Sequence, residues 1–546
     1  MVNKFIKKSS KLIAVVLAIT LAFSPLSYAD ITTFSGFQTA ISDSTVTTID
    51  IGGTITASGS EGALGTQAAS NLTINGNNYE VNASSNAGIK ITSATINNIT
   101  FKNFAKTGNS DSGGAIYNDG MLIINGTNFS SNTLKSNGNE RGGSAIYTKN
   151  SATTIINSGG FYYNKNSGAT AFGGAIYNKG YTEIGNEVIF SSNSTVGNTK
   201  SNGGAIYNAS DSTMKIGNNV LFDSNKANKG AGKGGAIAND GDMTIGANAH
   251  FYHNESSTDS GAIGVYGSSN KKATLTIGEG ALFYSNKSNL GGAIDNKQYS
   301  ITKIGKNAVF SHNIATIDAG GAIYNVETST FTIEDGALFE ENTSGSSSTP
   351  GGAIYNAGTM SIGTSTFVNN ETNGQLMDIY NIGDLTFTID DEYVVSGGTT
   401  TMMGGITNKG DETKGITKIS DGVTLMIGYN GNKQKVTGAT FAQKKVVINS
   451  GSSFYLNVDL TNNFKITDGT NKVTNSGIFY ITGDGILKYS VEGTGNLGIG
   501  GNVVINDGSL GISQENIEIS GTLTDNTGAD KITATNKITI NETGRL

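Results

Sequence analysis

Apolar residues recur in three short clusters per unit of about thirty residues, over almost half of the chain. The first cluster is Gly-Gly-Ala-Ile-Tyr-Asn, as at Gly113–Asn118. The second is an apolar residue, any residue and isoleucine, as in Met214–Ile216, and the third is Phe-x-x-Asn, as at Phe129 and Asn132. Alternate side chains of a strand face opposite ways. The pattern therefore predicts three short strands per unit, with isoleucine, isoleucine and phenylalanine facing one common axis.

Three copies of the unit carry the complete motif and define its structural positions. They are Gly113, Gly114, Ile116, Asn118, Phe129 and Asn132; Gly173, Gly174, Ile176, Asn178, Phe190 and Asn193; and Gly203, Gly204, Ile206, Asn208, Phe222 and Asn225. A period of this length, with no long helical pattern, is typical of a solenoid. The sequence predicts an all-β fold in which each repeat is one coil of a right-handed, single-stranded parallel β-helix, with coils about 4.8 Å apart.

The polar residues of the motif are those that such a coil needs at its corners. Glycine pairs permit a sharp bend with positive φ and close approach of the next coil. Asparagines stacked at one corner are expected to hydrogen-bond from coil to coil as a ladder, and the asparagine of Phe-x-x-Asn is expected to form a second ladder. The chain has only 2 prolines, as expected where nearly every backbone N–H pairs with a neighbouring coil.

The N-terminal residues have the pattern of an export signal. Lysines precede an apolar run over residues 12–23, and Ser27–Ala29 supplies small residues where a signal peptidase reads them. A membrane anchor is the alternative, but the run is short for a membrane span. We expect residues 1–29 to be a signal peptide for export through Sec, with cleavage between Ala29 and Asp30.

The remaining chain divides into three segments. Residues 30–110 are expected to form an N-terminal cap and the first coils, the cap being a short helix with Phe34 and Phe37 on its apolar face. Residues 111–390 hold the regular repeats. The motifs then stop, but strands and turns continue through 391–546, which we interpret as a degenerate continuation of the β-helix.

Composition narrows the range of functions. A formal charge of −7, with only 14% charged residues, gives no basic patch, so no nucleic-acid partner is expected. The chain has no cysteine, which removes disulfides and thiolate chemistry. Its Asn, Ser, Thr and Gly content is also typical of disordered chains, but disorder does not explain apolar residues in fixed register. No cofactor and no oligomer are indicated.

Two sets of residues resemble chemical sites, and neither is expected to act as one. Asp111–Gly114 resembles the sequence around a protease serine, but all histidines lie downstream of it and the tetrapeptide is a repeat boundary. Of those histidines, His250, His253 and His312, the last two share a column about 10 Å apart. That separation is too large for one zinc ion, so no metal site is predicted.

A polysaccharide lyase or hydrolase is the enzymatic alternative, because parallel β-helices often host such enzymes. A hydrolase needs two carboxylates about 5–10 Å apart, which Asp390–Glu392, or Glu334 and Asp335 with Glu340–Glu341, could supply. The acidic residues form no single dense cluster, and the only arginines are Arg141 and Arg545. We therefore predict no catalytic site.

Variable loop length marks a candidate binding face. The segment between the asparagine of Phe-x-x-Asn and the next glycine pair varies from Asn286–Gly291 to Asn132–Gly142, and such insertions gather on one face of a solenoid. Tyrosines that follow the isoleucine should lie outside the coil, as a stripe for glycans or a receptor, or packed beneath these loops. They are Tyr117, Tyr147, Tyr177, Tyr207, Tyr324, Tyr355 and Tyr380, interrupted by Ala238, Gly264 and Asp295.

The paired motifs Gly-Gly-Ala-Ile and Phe-x-x-Asn, across roughly residues 96–390, resemble the signature of the polymorphic outer membrane proteins first described in chlamydiae. The resemblance implies an autotransporter-type β-helical passenger, exported by Sec, located at a bacterial outer membrane or cell surface or secreted, and serving adhesion. No segment up to Leu546 resembles the translocator barrel of that family. Outer-membrane association is therefore expected through a missing or separate anchor.

The function that we predict is that of an adhesin or surface-binding module whose partner is a surface receptor, a glycan or a matrix ligand. A structural surface stalk or coat protein is the first alternative. A polysaccharide-active enzyme is the second.

Overall fold

The computed structural model describes residues 26–546 except 108–112, 136–140, 347, 349–350, 390–397, 409–410, 412, 468, 470–471, 507–509, 528–531 and 542. Most of the predicted signal peptide and the predicted segment boundaries at 110/111 and 390/391 lie outside the described residues. Cleavage after Ala29 stays a prediction; Ala29 and Asp30 belong to the strand Leu26–Ile31, which pairs in parallel with Val46–Ile51.

The described residues form the predicted parallel β-solenoid, with three stacks of strands. The isoleucine stack contains Gly65–Thr66, Ile89–Asn97, Ile116–Asn125, Ile146–Thr148, Ile176–Asn178, Ile206–Asn208, Ile237–Asn239, Ile263–Tyr266, Ile294–Lys297, Ile323–Asn325, Ile354–Asn356, Ile379–Asn381, Gly405–Thr407, Thr440–Gln443 and Phe464–Ile466.

The middle stack follows it in each coil and shares the two long strands Ile89–Asn97 and Ile116–Asn125. Its other strands are Leu26–Ile31, Val46–Ile51, Leu72–Asn75, Thr153–Ile156, Tyr181–Ile184, Thr213–Ile216, Asp242–Ile245, Ala273–Ile277, Ser300–Ile304, Thr330–Ile333, Thr359–Ile362, Asp384–Phe387, Ile416–Ile419, Lys445–Ile448, Lys472–Asn475, Ser490–Glu492, Ile512–Ile519 and Ile532–Ile540.

The phenylalanine stack is the third. Its strands are Ile55–Thr56, Glu80–Asn82, Thr100–Lys102, Thr127–Ser130, Gly159–Tyr162, Ile189–Ser191, Leu221–Asp223, His250–Tyr252, Leu282–Tyr284, Val309–Ser311, Ala337–Glu340, Ser365–Val368, Gly398–Met402, Val423–Ile427, Ser453–Leu456, Ile478–Ile481 and Asn496–Ile499. The second halves of the long strands Ile512–Ile519 and Ile532–Ile540 continue this stack. The pairing is in register, so that Phe190 opposes Phe161 in the preceding coil and Phe222 in the next.

Smaller sheets lie at the corners. An edge stack follows the Phe-x-x-Asn asparagines and contains Ala105–Thr107, Thr133–Lys135, Lys165–Asn166, Ser194–Thr195, Lys226–Ala227, Glu255–Ser256, Lys287–Ser288, Ile314–Ala315, Thr343–Ser344, Glu371–Thr372 and Gln375–Leu376. A sheet near the C-terminal end contains Gly485–Ile486, Asn502–Ile505 and Thr522–Asp525. A four-stranded sheet is described with the candidate site.

The only helix in the described part of the chain is Phe34–Ser42. The Thr33 hydroxyl accepts a hydrogen bond from the backbone N–H of Gly36 at 3.1 Å, which caps its N-terminus. Phe34, Phe37 and Ile41 are buried against the first strands of the solenoid, as the amphipathic pattern predicts. Within the described residues, no helix is long and apolar enough to cross a membrane.

A dry apolar core runs along the solenoid axis. The phenylalanines from Phe129 to Phe367 are fully buried, and consecutive rings stack nearly parallel with centroids 4.7 to 5.1 Å apart. This distance equals the spacing of paired strands, so the backbone register sets the ring spacing. Burial of each such side chain stabilises the fold by about 1.5–3 kcal/mol.

The predicted Phe-x-x-Asn ladder is present and buried. In the ladder that runs from Asn132 to Asn370, each Nδ2 donates to the Oδ1 of the next coil's asparagine at 2.9 to 3.0 Å and to the phenylalanine carbonyl of the preceding coil. The last amide, on Asn370, donates to Asp378 Oδ1 at 3.0 Å.

The predicted ladder in the isoleucine stack is also buried and is present in two runs, from Asn178 to Asn239 and from Asn296 to Asn381, because Asn118 and Asn239 donate instead to threonines. In the first run, Asn178 donates to Asn208, and Asn208 to Asn239.

Candidate ligand-binding face

The motif residues predicted from the sequence form the buried interior along the solenoid axis, which we call the spine, and are not exposed. All eighteen of them, from Gly113 to Asn225, are buried. Gly203 has φ +67°, and a Cβ added at Gly174 would lie 1.9 Å from the carbonyl oxygen of Gly204. The glycine pair is therefore required by the close approach of successive coils. A binding function must reside on the surface that this spine supports.

The long corner segments gather on one side of the solenoid, as their variable lengths predict. Four of them form a four-stranded parallel sheet of their own, which we call the corner sheet: Arg141–Gly142, Thr170–Phe172, Lys200–Asn202 and Ala231–Lys233. It leads directly into the glycine pairs and therefore borders the outward side of the isoleucine stack.

The tyrosines that follow the isoleucines form a column outside the spine. Tyr117 and Tyr147 are 5.0 Å apart between ring centroids, Tyr147 and Tyr177 5.3 Å, and Tyr177 and Tyr207 5.2 Å. Phe172 of the corner sheet lies 4.5 Å from Tyr207 and 5.7 Å from Tyr177. Tyr177 and Tyr207 are only 2% and 7% exposed, so this part of the column is packed beneath the corner segments, whereas Tyr117 and Tyr147 are half-buried.

A charged cluster occupies the interruption in this column. Tyr266 fills the space left at Gly264, where an added Cβ would lie 2.6 Å from its Cε2. The Lys297 ammonium is 3.0 Å from Asp295 Oδ2 and 3.2 Å from Asp259 Oδ2. Burying several charges side by side is costly unless they pair, and here the two signs alternate.

Burial changes the protonation of this cluster. It raises the pKa of the Asp295 carboxyl to about 7, against the attraction of Lys297. It also raises the pKa of Asp240, although the Tyr207 hydroxyl donates to Asp240 Oδ2 at 2.6 Å. Lys233, whose Nζ lies 3.7 Å from the Tyr266 ring centroid, has its pKa lowered by burial. These groups hold the corner segments onto the coil.

An open cavity lies beside the tyrosine column, where the turns of three successive coils differ in length. Strand registry matches Thr148 with Asn178 and Asn208, and Thr153 with Tyr181 and Thr213. The intervening turns are 149–152, 179–180 and 209–212, so the middle coil is two residues shorter than both neighbours.

The space left above the short turn has a volume of about 630 Å³. It is lined by Asn150, Ser151, Ala152, Thr153, Phe172, Tyr177, Lys179, Gly180, Tyr181, Tyr207, Ala209, Ser210, Asp211 and Thr213. A volume of this size falls within the ~300–1,000 Å³ range of small-molecule sites. We call this cavity the notch.

His253 and His312, which are predicted not to share a metal ion, pair with separate carboxylates. His253 Nδ1 lies 3.3 Å from Asp223, and His312 Nε2 lies 2.7 Å from Glu341. Across the residues that the structure describes, no group of three or more His, Asp or Glu side chains could hold a metal ion. Asp390–Glu392, Asp111 and Ser112 lie outside the described residues.

Sequence reasoning located the corner face and the tyrosines but missed the notch and the charged cluster. The two extra residues of the turns 149–152 and 209–212 are a readable signal for the notch, once the motifs align the coils. Phe172, Lys233 and Asp259 lie in corner segments without a repeating pattern, so nothing in the sequence marked them.

Comparison with known proteins identifies one type of repeat in this region. The family model described as Chlamydia polymorphic membrane protein repeat matches residues 187–209 and 219–240. Each matched segment contains one Phe-x-x-Asn and the glycine pair and isoleucine that follow it. Searches of curated proteins and of solved structures give no match.

Proposed function

Because this chain is a parallel β-solenoid that carries Chlamydia polymorphic membrane protein repeats, we propose that it is the passenger of an exported surface protein and acts as an adhesin. The repeats and the solenoid support a surface-exposed passenger. In this proposal, the spine presents the corner sheet, the tyrosine column and the notch to a partner outside the cell.

One observation carries the binding role: the described parts of four corner segments lie on one side of the solenoid and pair with one another as the corner sheet. A corner segment as short as Asn286–Gly291 is enough to close a coil. Several successive coils nevertheless have longer corner segments, which pair as the corner sheet. Longer loops cost conformational entropy, which a purely structural rod has no need to spend. Ordered loops on a rigid scaffold are the usual location of binding residues.

A surface stalk or coat is the second candidate. The continuous phenylalanine stack and the asparagine ladder favour it, because they stabilise an elongated solenoid whether or not a partner exists. The two candidates differ in whether the corner face binds anything.

The test measures binding of the purified chain from Asp30 to Leu546 to cultured cells and to matrix-coated plates. We expect saturable binding that falls at least tenfold in the corner variant Asn198→Ala/Lys200→Ala. The matched control is Thr276→Ala/Lys303→Ala, two exposed residues on the middle stack, which should bind as the wild type does. No binding to any surface would favour the stalk, and equal loss in both variants would remove the corner face from the proposal.

Export has its own test. Expression of the full chain in a bacterium with a Sec system should yield a processed protein in the envelope or medium. Its N-terminal residue, read by mass spectrometry, is expected to be Asp30. A mature protein that retains Met1 would contradict the signal-peptide prediction and leave the binding measurement unaffected.

A further inference from the structure

We propose that the notch is a binding site for a short, neutral saccharide. This inference rests on the proposed binding function and names the chemical class of one ligand. The notch combines an aromatic floor, a rim of unused hydroxyl and amide groups, and very little charge.

The floor is built by Phe172, Tyr177 and Tyr207, with Tyr181 at the start of the next strand. Phe172, Tyr177 and Tyr207 pack against one another and are only 2–7% exposed, so they form a closed, rigid base for the notch. Tyr181 is half-buried and offers the accessible aromatic ring. Rigid aromatic side chains with a polar handle bind ligands at low cost in conformational entropy. The apolar C–H face of a sugar ring matches the accessible face of Tyr181.

The rim offers hydrogen-bonding groups that the protein does not use. The side chains of Asn150, Ser151, Thr153, Ser210 and Thr213 make no hydrogen bond to any other described residue. They are exposed or half-buried, and they come from the two long turns and from the strands that follow them. Hydroxyls and amides both donate and accept, which suits a ligand whose surface consists of hydroxyl groups.

A second short turn in the same face shows the contrast. The turn 240–241 lies between the long turns 209–212 and 266–273, so it too could form a notch. There the Lys271 ammonium reaches across to Asp211 Oδ1 at 2.9 Å, and the Thr274 hydroxyl donates to Asp242 Oδ1 at 2.7 Å. These polar groups at that turn are satisfied within the chain, whereas the five rim side chains named above have no hydrogen-bond partner among the described residues.

The charge of the lining argues for a neutral ligand. Lys179 and Asp211 are the only charged residues that line the notch, and Asp211 is paired with Lys271. A sulfated or phosphorylated polyanion would require several cations, and a basic ligand would require several carboxylates. A neutral saccharide requires neither.

The experiment screens the purified chain from Asp30 to Leu546 on an array of neutral and anionic glycans, and quantifies hits by calorimetry. Ser210→Trp places a large side chain in the notch from an exposed turn. Thr153→Val/Thr213→Val removes two hydroxyls without changing side-chain shape. Glu327→Trp makes the same addition at the position of Ser210 in a later coil, and serves as the matched control.

We expect at least one neutral saccharide to bind, with affinity lowered more than tenfold by Ser210→Trp, about tenfold by Thr153→Val/Thr213→Val, and unchanged by Glu327→Trp. Binding of anionic glycans alone, or binding that Ser210→Trp leaves intact, would overturn the saccharide site. If neutral glycans fail but the chain still binds cells, this inference falls and the proposed function stands. If the chain binds neither neutral glycans nor cells, the saccharide site and the proposed function are both contradicted.

Discussion

The regular coils and the coils after residue 398 have the same architecture but different interiors. In the regular coils, Phe222 stacks on its neighbours at 4.8 and 5.0 Å with interplanar angles of 4° and 2°. In the later coils, Phe441 of the isoleucine stack meets Phe454 at 55° and Phe464 at 37°, while Phe454 and Phe479 of the phenylalanine stack stay nearly parallel at 9°. Parallel pairing continues through both regions. The solenoid therefore depends on the alternation of apolar residues, and the repeat motif adds a uniform interior.

Hydrogen bonding differs in the same way. The ladder through Asn225 has one asparagine in every regular coil. In the other ladder, in the isoleucine stack, Asn381 Nδ2 donates to Gln443 Oε1 at 2.7 Å across 62 residues of sequence. A longer amide side chain thus replaces a missing rung. Buried amides need hydrogen-bond partners in both regions. In the Phe-x-x-Asn ladder the partner is the equivalent asparagine of the next coil, whereas Asn381 pairs with a glutamine.

Cavity formation should separate the two interiors most clearly. Phe222→Ala leaves a void between two rings held in parallel register, and we expect it to lower the free energy of unfolding by about 3–5 kcal/mol. Phe441→Ala should cost at least about 1 kcal/mol less, because its tilted neighbours can move into the space. Chemical unfolding followed by circular dichroism measures both. Equal losses would contradict the difference that we draw between the interiors.

Removal of one ladder asparagine is the next largest effect. Asn225 accepts from the backbone N–H and Nδ2 of Asn193 and donates to Asn254 and to the Phe190 carbonyl. Asn225→Ala leaves several buried groups unpaired, and we expect a loss of about 3 kcal/mol. Asn516→Ala, at a half-buried pair in the later coils, should cost less than about 1 kcal/mol. The same unfolding assay compares them.

Acidity should affect the charged cluster within the regular coils. Burial raises the pKa of Asp295 to about 7 and that of Asp378 to about 6, from an ordinary value of 3.8. Between about pH 4 and pH 7 the folded chain therefore holds protons that the unfolded chain releases, so stability falls as pH rises through this window. We expect a gain on the order of 1–3 kcal/mol on going from pH 7.5 to pH 5.

Asp295→Asn should reduce that gain, measured as the change in unfolding free energy between the two pH values. Asp119→Asn is the control: hydrogen bonds from Lys149 and Lys90 lower the pKa of Asp119, so its stabilisation is lost only at more acid pH. An undiminished gain in Asp295→Asn would exclude this residue as the source.

The smallest effect is expected on the surface. Lys226 and Glu255 pair at 2.8 Å with side chains 45% and 39% exposed. Lys226→Met should change the unfolding free energy by less than about 1 kcal/mol, because solvent screens exposed pairs. A larger loss would mean that surface ion pairs, and not the interior, stabilise the coils.

The spine was predictable from the sequence because each of its positions is repeated. The buried Phe129, Asn132 and Ile116 recur at fixed spacing, and that spacing allows only a strand with one side facing the axis. The tyrosines were placed correctly outside the spine, but the choice between an open stripe and a covered column depended on where Phe172 lies. Corner residues have no repeat partners, so sequence alone does not align them.

The charged cluster shows the same limit. Gly264 and Asp295 were recognised as interruptions of the tyrosines, but the filling of that gap by Tyr266 depends on a side chain two residues farther along its strand. Lys297 pairs with Asp259 from the preceding coil, and only the three-dimensional register brings them together.

The asparagine ladder that ends at Asp378 also has a direction. Every side-chain amide from Asn132 to Asn370 points its Nδ2 toward the later coil, so their dipoles add along the axis as peptide dipoles do in a helix. The positive end of that row meets the Asp378 carboxylate, whose other oxygen accepts from the backbone N–H groups of Gly404 and Gly405 at 2.6 and 2.9 Å. The junction between uniform and irregular coils is thus an electrostatic terminus, where a negative charge closes a polarised chain.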